Sequence, residues 1–214
     1  MPASSQPPFV IGCHGLLADR RSPKQIALGN ALNQIGIAFL RFDHRGCGDS
    51  QGGLRHTLSL EARCRDLYHA IGALETYSCL GQLAGLFGSS FGGTVVLATA
   101  AKHIVPAIIS YAAPIRSSPM PSSATGIQSK NAAVGPRLSV MPFDISGLID
   151  SLSNVLVIHG ESDEIVPIDH AKEICHLVGY PKELIIFDKG DHRMGNPSHQ
   201  MQFITQCQAW ISKS

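Results

Sequence analysis

Short apolar runs recur along the chain and are separated by longer stretches in which apolar and polar residues mix. Runs without alternation of apolar and polar positions are typical of parallel strands whose two faces are both covered by helices. Their regular separation by amphipathic stretches predicts crossover units around a parallel sheet. We therefore expect an α/β fold with a doubly wound, mostly parallel six-stranded sheet. The strand candidates are 9–14, 38–42, 83–88, 107–112, 154–159 and 183–188.

The stretches between these runs carry helix signals. Ser22 is a suitable N-cap, Pro23 fits a first helical position and Gly36 can end a helix, which predicts a helix over 22–35. The stretch 59–77 spaces its apolar residues by four and three, so that they form one stripe facing the sheet. That stripe consists of Leu60, Cys64, Leu67, Ile71 and Leu74. Further helices are predicted over 91–102, 167–178 and 198–213.

One stretch between the fourth and fifth strand candidates breaks this rhythm. Residues 114–150 contain five prolines among many serines, and a connection of this length is usually functional. We interpret it as a lid or rim, with a short helix over 144–153. Because prolines interrupt its apolar residues, we expect it to leave a site beneath it open. No repeat or linker divides the chain, so residues 1–214 are predicted to form a single domain.

Composition excludes several classes of protein. The 214 residues include 44% apolar and 15% charged residues and carry a net charge of +1, which is unlike a disordered chain or a nucleic-acid binder. The first fifteen residues lack the features of a secretory signal, and no run approaches the roughly 20 apolar residues of a membrane span. The six cysteines form no C-x-x-C pair and are expected to be free thiols. These features predict a cytoplasmic protein that acts on a small molecule, without nucleic-acid or membrane partners.

The clearest chemical motif lies where the third strand candidate meets the next helix. Gly88, Ser90 and Gly92 form the pattern G-x-S-x-G, in which a serine on a strained turn projects its hydroxyl from the sheet edge. Side chains two residues before and after the serine would collide, and glycine removes that collision. The helix that follows would direct its free N–H groups at negative charge forming near Ser90. The sequence therefore predicts that Ser90 is a nucleophile.

A glycine-rich turn between a strand and a helix can also bind phosphate. A P-loop requires lysine where Thr94 stands, and the pattern G-x-G-x-x-G that begins at Gly46 and Gly48 is interrupted by Gln51. Neither phosphate-binding pattern is therefore present. Ser90 as a simple helix cap remains an alternative when the five-residue motif is taken alone.

A serine nucleophile needs a base and an acid that orients the base. His192 follows the last strand candidate, on the sheet edge where Ser90 is expected, and is the predicted base. The loop after the fifth strand supplies the acid, and Asp163 is our choice. Glu161 and Glu164 lie in the same loop and remain open alternatives. The chain order Ser, Asp, His is the one used by α/β-hydrolase architectures.

Five motifs occur in register with those of a known superfamily. They are His14-Gly15, residues 43–50 (DHRGCGDS), the turn at Ser90, residues 159–163 followed by Val166-Pro167, and Gly190-Asp191-His192. With these motifs the chain resembles the α/β-hydrolase superfamily from about residue 9 to its C-terminus. More narrowly it is similar to the bacterial esterase and serine aminopeptidase-like branch, which includes cinnamoyl esterase-type enzymes.

This resemblance implies a triad of Ser90, Asp163 and His192. It also implies an oxyanion hole made by the backbone N–H groups of Phe91 and Leu16, with Leu17 as the fallback for the second donor. The chain departs from the family in two respects. We expect the sheet to lack the family's two leading strands, and the helical cap of many relatives to be reduced to the stretch 114–150.

The residues and the resemblance together predict a serine hydrolase that cleaves a small carboxylic ester through an acyl-enzyme on Ser90. No cofactor and no metal are required. An amide, peptide or thioester substrate would use the same residues, so the bond that is cleaved stays open. The alternative from a different class is an inert hydrolase-fold module that binds a ligand or partner without turnover.

Overall fold

The sheet of the protein contains six strands, all parallel, as the apolar runs predicted. In the computed structural model, which describes residues 6–117 and 141–213, their order is β2-β1-β3-β4-β5-β6. The bounds are β1 Phe9–Cys13, β2 Ala38–Arg41, β3 Leu83–Ser89, β4 Ile108–Tyr111, β5 Val155–Gly160 and β6 Lys182–Phe187. Each predicted strand is present, and no strand end differs from its prediction by more than one residue.

Strand order places a crevice at the carboxyl ends of β1 and β3. From β1 the chain first moves outward to β2 and then crosses back over β1 to β3, so the direction of winding reverses between these two strands. In open α/β sheets, ligands bind outside the carboxyl ends of the strands at such a reversal. Ser90 directly follows β3 and His14 directly follows β1, so both lie at this crevice.

Helices cover both faces of the sheet. Their bounds are α1 Pro23–Gln34, α2 Leu54–Leu58, α3 Leu60–Glu75, α4 Phe91–Ala100, α5 Asp169–Leu177 and α6 Pro197–Ser212. One apolar core joins Phe9 and Ile11 to residues of α3, α4 and α5. A second core joins the intervening Val10 to residues of α1 and α6. Successive side chains of β1 thus enter opposite cores, which explains why this strand is apolar throughout.

Helix α4 connects the crevice to the centre of the molecule. All ten of its residues are buried, and it packs against β3, β4 and α3. The helix that begins one residue after Ser90 is therefore held on all sides, which restricts movement of the turn before it.

Some details of the helices differ from the sequence prediction. Helix α1 begins at Pro23 and is followed by Gly36 at φ +85°, as expected, but the Ser22 side chain makes no capping hydrogen bond. The short helix α2 was not predicted. The helix predicted over 144–153 is wrong, because these residues form turns.

Both ends of the predicted lid are described, while residues 118–140 lie outside the described residues. The prediction of a lid or rim over 114–150 therefore stays a prediction along most of its length. Where the chain is described, Ser117 N donates to Phe143 O at 2.9 Å and Ile145 N donates to Ile115 O at 3.0 Å. The two ends of the stretch thus lie side by side.

An arginine fixes these two ends to the fold. Arg116 Nε donates to Asp144 Oδ2 at 3.0 Å, and its two terminal nitrogens donate to both carboxylate oxygens of Glu173 on α5, at 2.7 and 2.5 Å. Ile115 and Ile145 are completely buried beneath this cluster. Among residues 6–117 and 141–213, no helix combines the length and apolar character needed to cross a membrane.

Candidate active site

Ser90 occupies a strained turn between β3 and α4. Its backbone has φ +55° and ψ −127°, a conformation rarely adopted by residues other than glycine. Its N–H donates to Tyr111 O at 2.7 Å, which ties the turn to the end of β4. A side chain at Gly88 would collide with Gly92, and one at Gly92 would collide with the carbonyl oxygen of Cys13. The two glycines therefore permit the close packing that the motif predicted.

His192 lies between Ser90 and Asp163. Its Nε2 is 3.1 Å from Ser90 Oγ, and its Nδ1 is 2.8 and 3.0 Å from the two carboxylate oxygens of Asp163. These are hydrogen-bonding distances on opposite sides of one imidazole ring. The structure therefore brings together the serine, histidine and aspartate that the sequence selected.

The backbone on both sides of His192 is anchored. Tyr111 Oη donates to Asp191 O at 2.9 Å, and Lys24 Nζ donates to Arg193 O at 2.9 Å. Tyr111 also accepts the Ser90 N–H through its own carbonyl oxygen, so one residue at the end of β4 contacts both sides of the serine-histidine pair. These contacts restrict the position of the imidazole relative to the serine.

The Asp163 side chain is completely buried and richly hydrogen-bonded. The N–H groups of Ile165 and Val166 donate to its Oδ1 at 2.9 and 2.8 Å. His159 Nε2 lies 3.3 Å from Oδ2. Burial raises the pKa of this carboxyl, but the hydrogen bonds from His159, His192 and Val166 outweigh it and hold the pKa well below the usual range. Asp163 is thus a carboxylate at neutral pH.

The two glutamates that the sequence left open occupy other positions. Glu161 Oε2 accepts the N–H of Lys189 at 3.2 Å, and Glu164 Oε2 accepts the backbone N–H of His192 at 3.1 Å. Within the described ranges, Asp163 has the one carboxylate within hydrogen-bonding distance of the His192 ring. Both glutamates bind the backbone of the histidine loop instead.

The expected oxyanion donors lie on either side of Ser90. Phe91 is the first residue of α4, where a backbone N–H has no carbonyl partner within its own helix. Leu16 follows Gly15, and a Cβ added at Gly15 would lie 3.3 Å from the Ser90 Cβ. Leu17, the fallback donor, has φ +55° and a largely exposed side chain. The loop that carries Leu16 therefore packs directly against the serine.

A buried polar layer supports this loop from behind. His14 Nδ1 lies 2.9 Å from Gly15 O, and the backbone N–H of His44 donates to His14 Nε2 at 3.3 Å. Burial lowers the pKa of His14 to about 3 and that of His44 to about 4, so both rings are neutral at physiological pH. Arg63 donates from α3 to the carbonyl oxygens of His14 and Gly15.

Sequence reasoning missed Arg63. The apolar stripe of α3 was assigned to Cys64, Leu67 and Ile71, but Arg63 lies four residues before Leu67 on the same face and is completely buried. That spacing was the one available signal. A single arginine beside an apolar stripe is usually at the surface, so the spacing alone did not select it.

The motif at residues 43–50 has a structural role at the crevice. Asp43 accepts the N–H groups of Arg20 at 2.7 Å and Asp49 at 3.0 Å, and it forms an ion pair with the Arg20 guanidinium. Gly48, at φ +51°, packs so closely on the Asp43 carboxylate that a side chain would collide with it. The Asp43 carboxylate therefore folds the loop after β2 and is not presented to a ligand.

Comparison with known families finds a match that covers much of the chain. A hydrolase family described as serine aminopeptidase, S33, matches residues 7–153. The matched range contains Ser90 and ends before Asp163 and His192. The assignment of these two residues therefore rests on the motifs and on the distances in the site. The uncharacterised protein YfhR of Escherichia coli O157:H7 is 28% identical over 170 residues, or 75% of this chain and 55% of that protein. The chain spans 33% to 55% of the length of the first curated relatives that it matches.

Solved structures share the fold along nearly the whole chain. Est1E from Butyrivibrio proteoclasticus with ferulic acid bound is 18% identical, with a TM-score of 0.78 over 99% of this chain and 90% of that one. XC6422 from Xanthomonas campestris, described as an α/β serine hydrolase without lid, is 21% identical, with a TM-score of 0.70 over 98% and 83%. These likenesses show the α/β-hydrolase fold that the sequence motifs predicted.

Proposed function

Because the chain belongs to the serine aminopeptidase S33 family of α/β-hydrolases, we propose that it is a serine hydrolase that cleaves a small carboxylic ester through an acyl-enzyme on Ser90. One observation supports this proposal above the others. Ser90 Oγ, both ring nitrogens of His192 and the Asp163 carboxylate form an unbroken series of hydrogen-bonding contacts at the carboxyl end of β3. A hydroxyl in such a series can lose its proton as it attacks a carbonyl carbon.

The proposed acylation replaces the ester C–O bond with a bond from the carbonyl carbon to Ser90 Oγ, and His192 passes one proton from the serine to the alcohol. Ser90 Oγ attacks the ester carbonyl carbon while its proton moves to His192 Nε2, and the carbonyl oxygen becomes an oxyanion. The N–H groups of Phe91 and Leu16 are the proposed donors to that oxygen. Collapse of the intermediate breaks the ester C–O bond, and His192 gives its proton to the departing alcohol. Water then repeats these steps on the acyl-enzyme and releases the acid.

Asp163 has two proposed roles in this cycle. By accepting the Nδ1–H of His192, it selects the tautomer whose Nε2 is free to receive the serine proton. Its negative charge also stabilises the imidazolium that forms during the attack. The low pKa of Asp163 supports this assignment, because the carboxylate remains charged throughout the pH range in which a histidine base works.

Amide cleavage is the second candidate within the same mechanism. The family description as a serine aminopeptidase favours it, and the proposed residues and steps would be unchanged apart from an amine leaving group. Solved structures with this fold include one with ferulic acid bound, an esterase domain and a dienelactone hydrolase, which favour an ester or lactone. We therefore place the ester first and separate the candidates with a panel of ester, thioester and aminoacyl substrates.

Covalent labelling tests the proposal directly. A fluorophosphonate probe should modify Ser90, and mapping the modified peptide identifies the residue. Ser90→Ala should abolish both labelling and hydrolysis of p-nitrophenyl acetate. Ser89→Ala is the matched control, because Ser89 is the neighbouring hydroxyl at the end of β3 and its side chain has no proposed role. Absence of labelling and of hydrolysis across the panel would favour the inert binding module.

A further inference from the structure

Arg63 is a completely buried cation. Its Nε donates to Thr57 O at 2.9 Å, and one terminal nitrogen donates to His14 O at 3.1 Å and to Gly15 O at 3.3 Å. The other terminal nitrogen lies 3.4 Å from Cys47 Sγ. In the described part of the chain, no carboxylate lies within ion-pairing distance of this guanidinium, which is instead surrounded mainly by carbonyl dipoles.

A buried charge of this kind is expensive. Removing a cation from water without a paired anion costs several kcal/mol, and an apolar side chain of similar size would fill the same space at lower cost. The guanidinium is therefore expected to contribute something that packing does not require. Its partners indicate what that contribution is, because two of them belong to the loop that packs on Ser90.

The peptide between Gly15 and Leu16 connects the arginine to the active site. In a trans peptide the C=O and the N–H point in opposite directions. A donor that holds Gly15 O from behind therefore directs the Leu16 N–H away from itself. A cation bonded to the oxygen also draws electron density from the amide and makes its N–H a stronger donor.

Arg63 contacts the other side of the site as well. Its guanidinium carbon lies 5.0 Å from the centre of the Phe91 ring, within the range of a cation–π contact. Phe91 is the residue after the nucleophile and carries the other expected oxyanion donor. The Arg63 side chain thus contacts both the peptide that carries the Leu16 N–H and the side chain of Phe91, whose N–H is the other expected oxyanion donor.

We propose that Arg63 is a positioning residue for the oxyanion hole, which orients and polarises the Gly15–Leu16 peptide so that the Leu16 N–H meets the developing oxyanion. This inference rests on the proposed hydrolase function. According to this inference, Arg63 stabilises the tetrahedral intermediate more than it stabilises the bound substrate. Arg63 also ties Thr57 to the β1 loop, so the experiment must separate catalysis from folding.

The test compares Arg63→Met, which keeps an unbranched flexible stem and removes the charged guanidinium, with Leu67→Ala. Leu67 is also completely buried, one helical turn further along α3, where it packs in the apolar core. Fluorophosphonate titration to completion counts the active sites of each protein. Three quantities are then measured: kcat per active site and KM for p-nitrophenyl acetate, and the affinity for a short alkyl trifluoromethyl ketone. That ketone forms a tetrahedral adduct on a catalytic serine, and its oxyanion occupies the hole.

For Arg63→Met we expect kcat/KM to fall by about 100-fold, as when one oxyanion donor is removed, with KM changed by less than about threefold. The affinity for the trifluoromethyl ketone should fall by a similar factor. Leu67→Ala should lower the melting temperature and leave kcat per active site unchanged. A merely structural role of Arg63 would instead make both variants less stable while their remaining active sites stayed equally fast.

Arg63→Lys provides a second readout. The lysine keeps a cation near the Gly15 carbonyl, but burial lowers the pKa of an ammonium from its usual value of about 10.4. Activity per site in this variant should therefore be partly restored and should then decline on the alkaline side, where the wild type does not. The titratable groups that face the guanidinium are Cys13, Cys47 and Asp66, and Cys47 is the nearest of them. The profile is therefore repeated with Cys47→Ser added to both proteins, and a decline that persists does not come from this thiol.

The outcomes are distinct. If the wild type is labelled and active while Arg63→Met retains its kcat/KM and its ketone affinity, the positioning role is wrong and the hydrolase proposal stands. If Arg63→Met does not fold, Arg63→Lys decides, and an alkaline profile identical to the wild type overturns the role. A wild type that is neither labelled nor active on any substrate of the panel overturns the proposed function and this inference with it.

Discussion

His159 Nε2 lies 3.3 Å from Asp163 Oδ2, the same carboxylate oxygen that lies 2.8 Å from His192 Nδ1. His159 is the first residue of the motif at residues 159–163. In the structure its ring is completely buried, and its Nε2 is also 2.8 Å from the carbonyl oxygen of Val166. The acid of the proposed triad is therefore held between two imidazoles, one of which faces the serine and one the core.

Asp163→Asn should nearly abolish hydrolysis with little change in fold. The amide has the same shape but no charge, and it favours the wrong tautomer of His192. We expect kcat/KM on p-nitrophenyl acetate to fall by about 10⁴-fold, the scale known for this change in a serine protease triad. Glu164→Gln is the matched control. Among residues 6–117 and 141–213, the Glu164 side chain is bonded only to the backbone N–H of His192, so this variant should remain within a few-fold of the wild type. If Glu164→Gln lost most of its kcat/KM while Asp163→Asn kept it, Glu164 would be the acid.

Acid should destabilise the protein through its buried histidines before its carboxylates protonate. Burial lowers the pKa of His44 to about 4, while the unfolded chain has the ordinary value of about 6.5. Between these values the unfolded state binds a proton that the folded state does not. The free energy of unfolding therefore falls as pH decreases, by about 2 kcal/mol for one such histidine between pH 7 and pH 5. His14 adds a contribution of the same sign.

Urea unfolding of His44→Phe at these two pH values measures that contribution. The phenyl ring keeps the packing on Phe42, whose ring lies 4.6 Å from that of His44, and it cannot take up a proton. We expect the variant to lose about 2 kcal/mol less than the wild type on acidification. His176→Gln, at an exposed histidine, should keep the wild-type dependence. Identical losses in His44→Phe and the wild type would show that His44 is not held neutral by the fold.

Lengthening the acyl chain of the ester beyond hexanoyl should not raise kcat/KM. Each enclosed methylene is worth about 0.8 kcal/mol, but the prolines and serines of 114–150 prevent a continuous apolar helical face that would enclose a long chain. This prediction rests on the sequence, because most of that stretch lies outside the described residues. A p-nitrophenyl ester series below aggregation concentrations should give its highest kcat/KM between acetyl and hexanoyl. A steady rise to dodecanoyl or beyond would place the protein with lipid-type hydrolases.

Metal removal should leave the rate unchanged. The proposed cycle takes its nucleophile, base and oxyanion donors from the protein alone, so dialysis against EDTA should not alter kcat/KM. A rate that collapses in EDTA and returns with added zinc would contradict this cycle. Inductively coupled plasma mass spectrometry of the dialysed protein checks that the treatment removed the metal.

The sheet was readable from the sequence for a physical reason. Its strands are buried on both faces, so β1 and β5 each appear as an uninterrupted apolar run with the limits 9–14 and 154–159, against Phe9–Cys13 and Val155–Gly160 in the structure. Strand ends are set by hydrogen bonds to the neighbouring strand, which hydrophobicity does not record. That accounts for the errors of one residue at the strand ends.

A local side-chain bond explains why the predicted helix over 144–153 is wrong. The predicted helix over 144–153 begins at Asp144, whose Oδ1 accepts the N–H of Ser146 at 2.9 Å. Such a bond offers the backbone a turn in place of a helix. The missed helix α2 has five residues, too few for its apolar positions to show a helical period.

The candidate site was predictable where a motif constrains the backbone and unpredictable where packing decides. Ser90 followed from two glycines that the turn requires. The choice among three acids within four residues depended on which carboxylate the backbone N–H groups of the loop hold in a buried position. In the structure these N–H groups bind Asp163. Arg63 acquires its significance from the carbonyl oxygen of Gly15, which lies 48 residues away in sequence.

The clamp formed by Arg116, Asp144 and Glu173 holds together the two described ends of the stretch 114–150. Ser117 and Phe143, at the two ends of the segment, are hydrogen-bonded to each other. The positions of β4 and β5 therefore do not depend on how many residues lie between these two ends. The entropy of closing a loop grows only slowly with its length. Evolution can therefore exchange this segment for longer or shorter ones, and diversify the substrates accepted by one catalytic framework, without disturbing the framework itself.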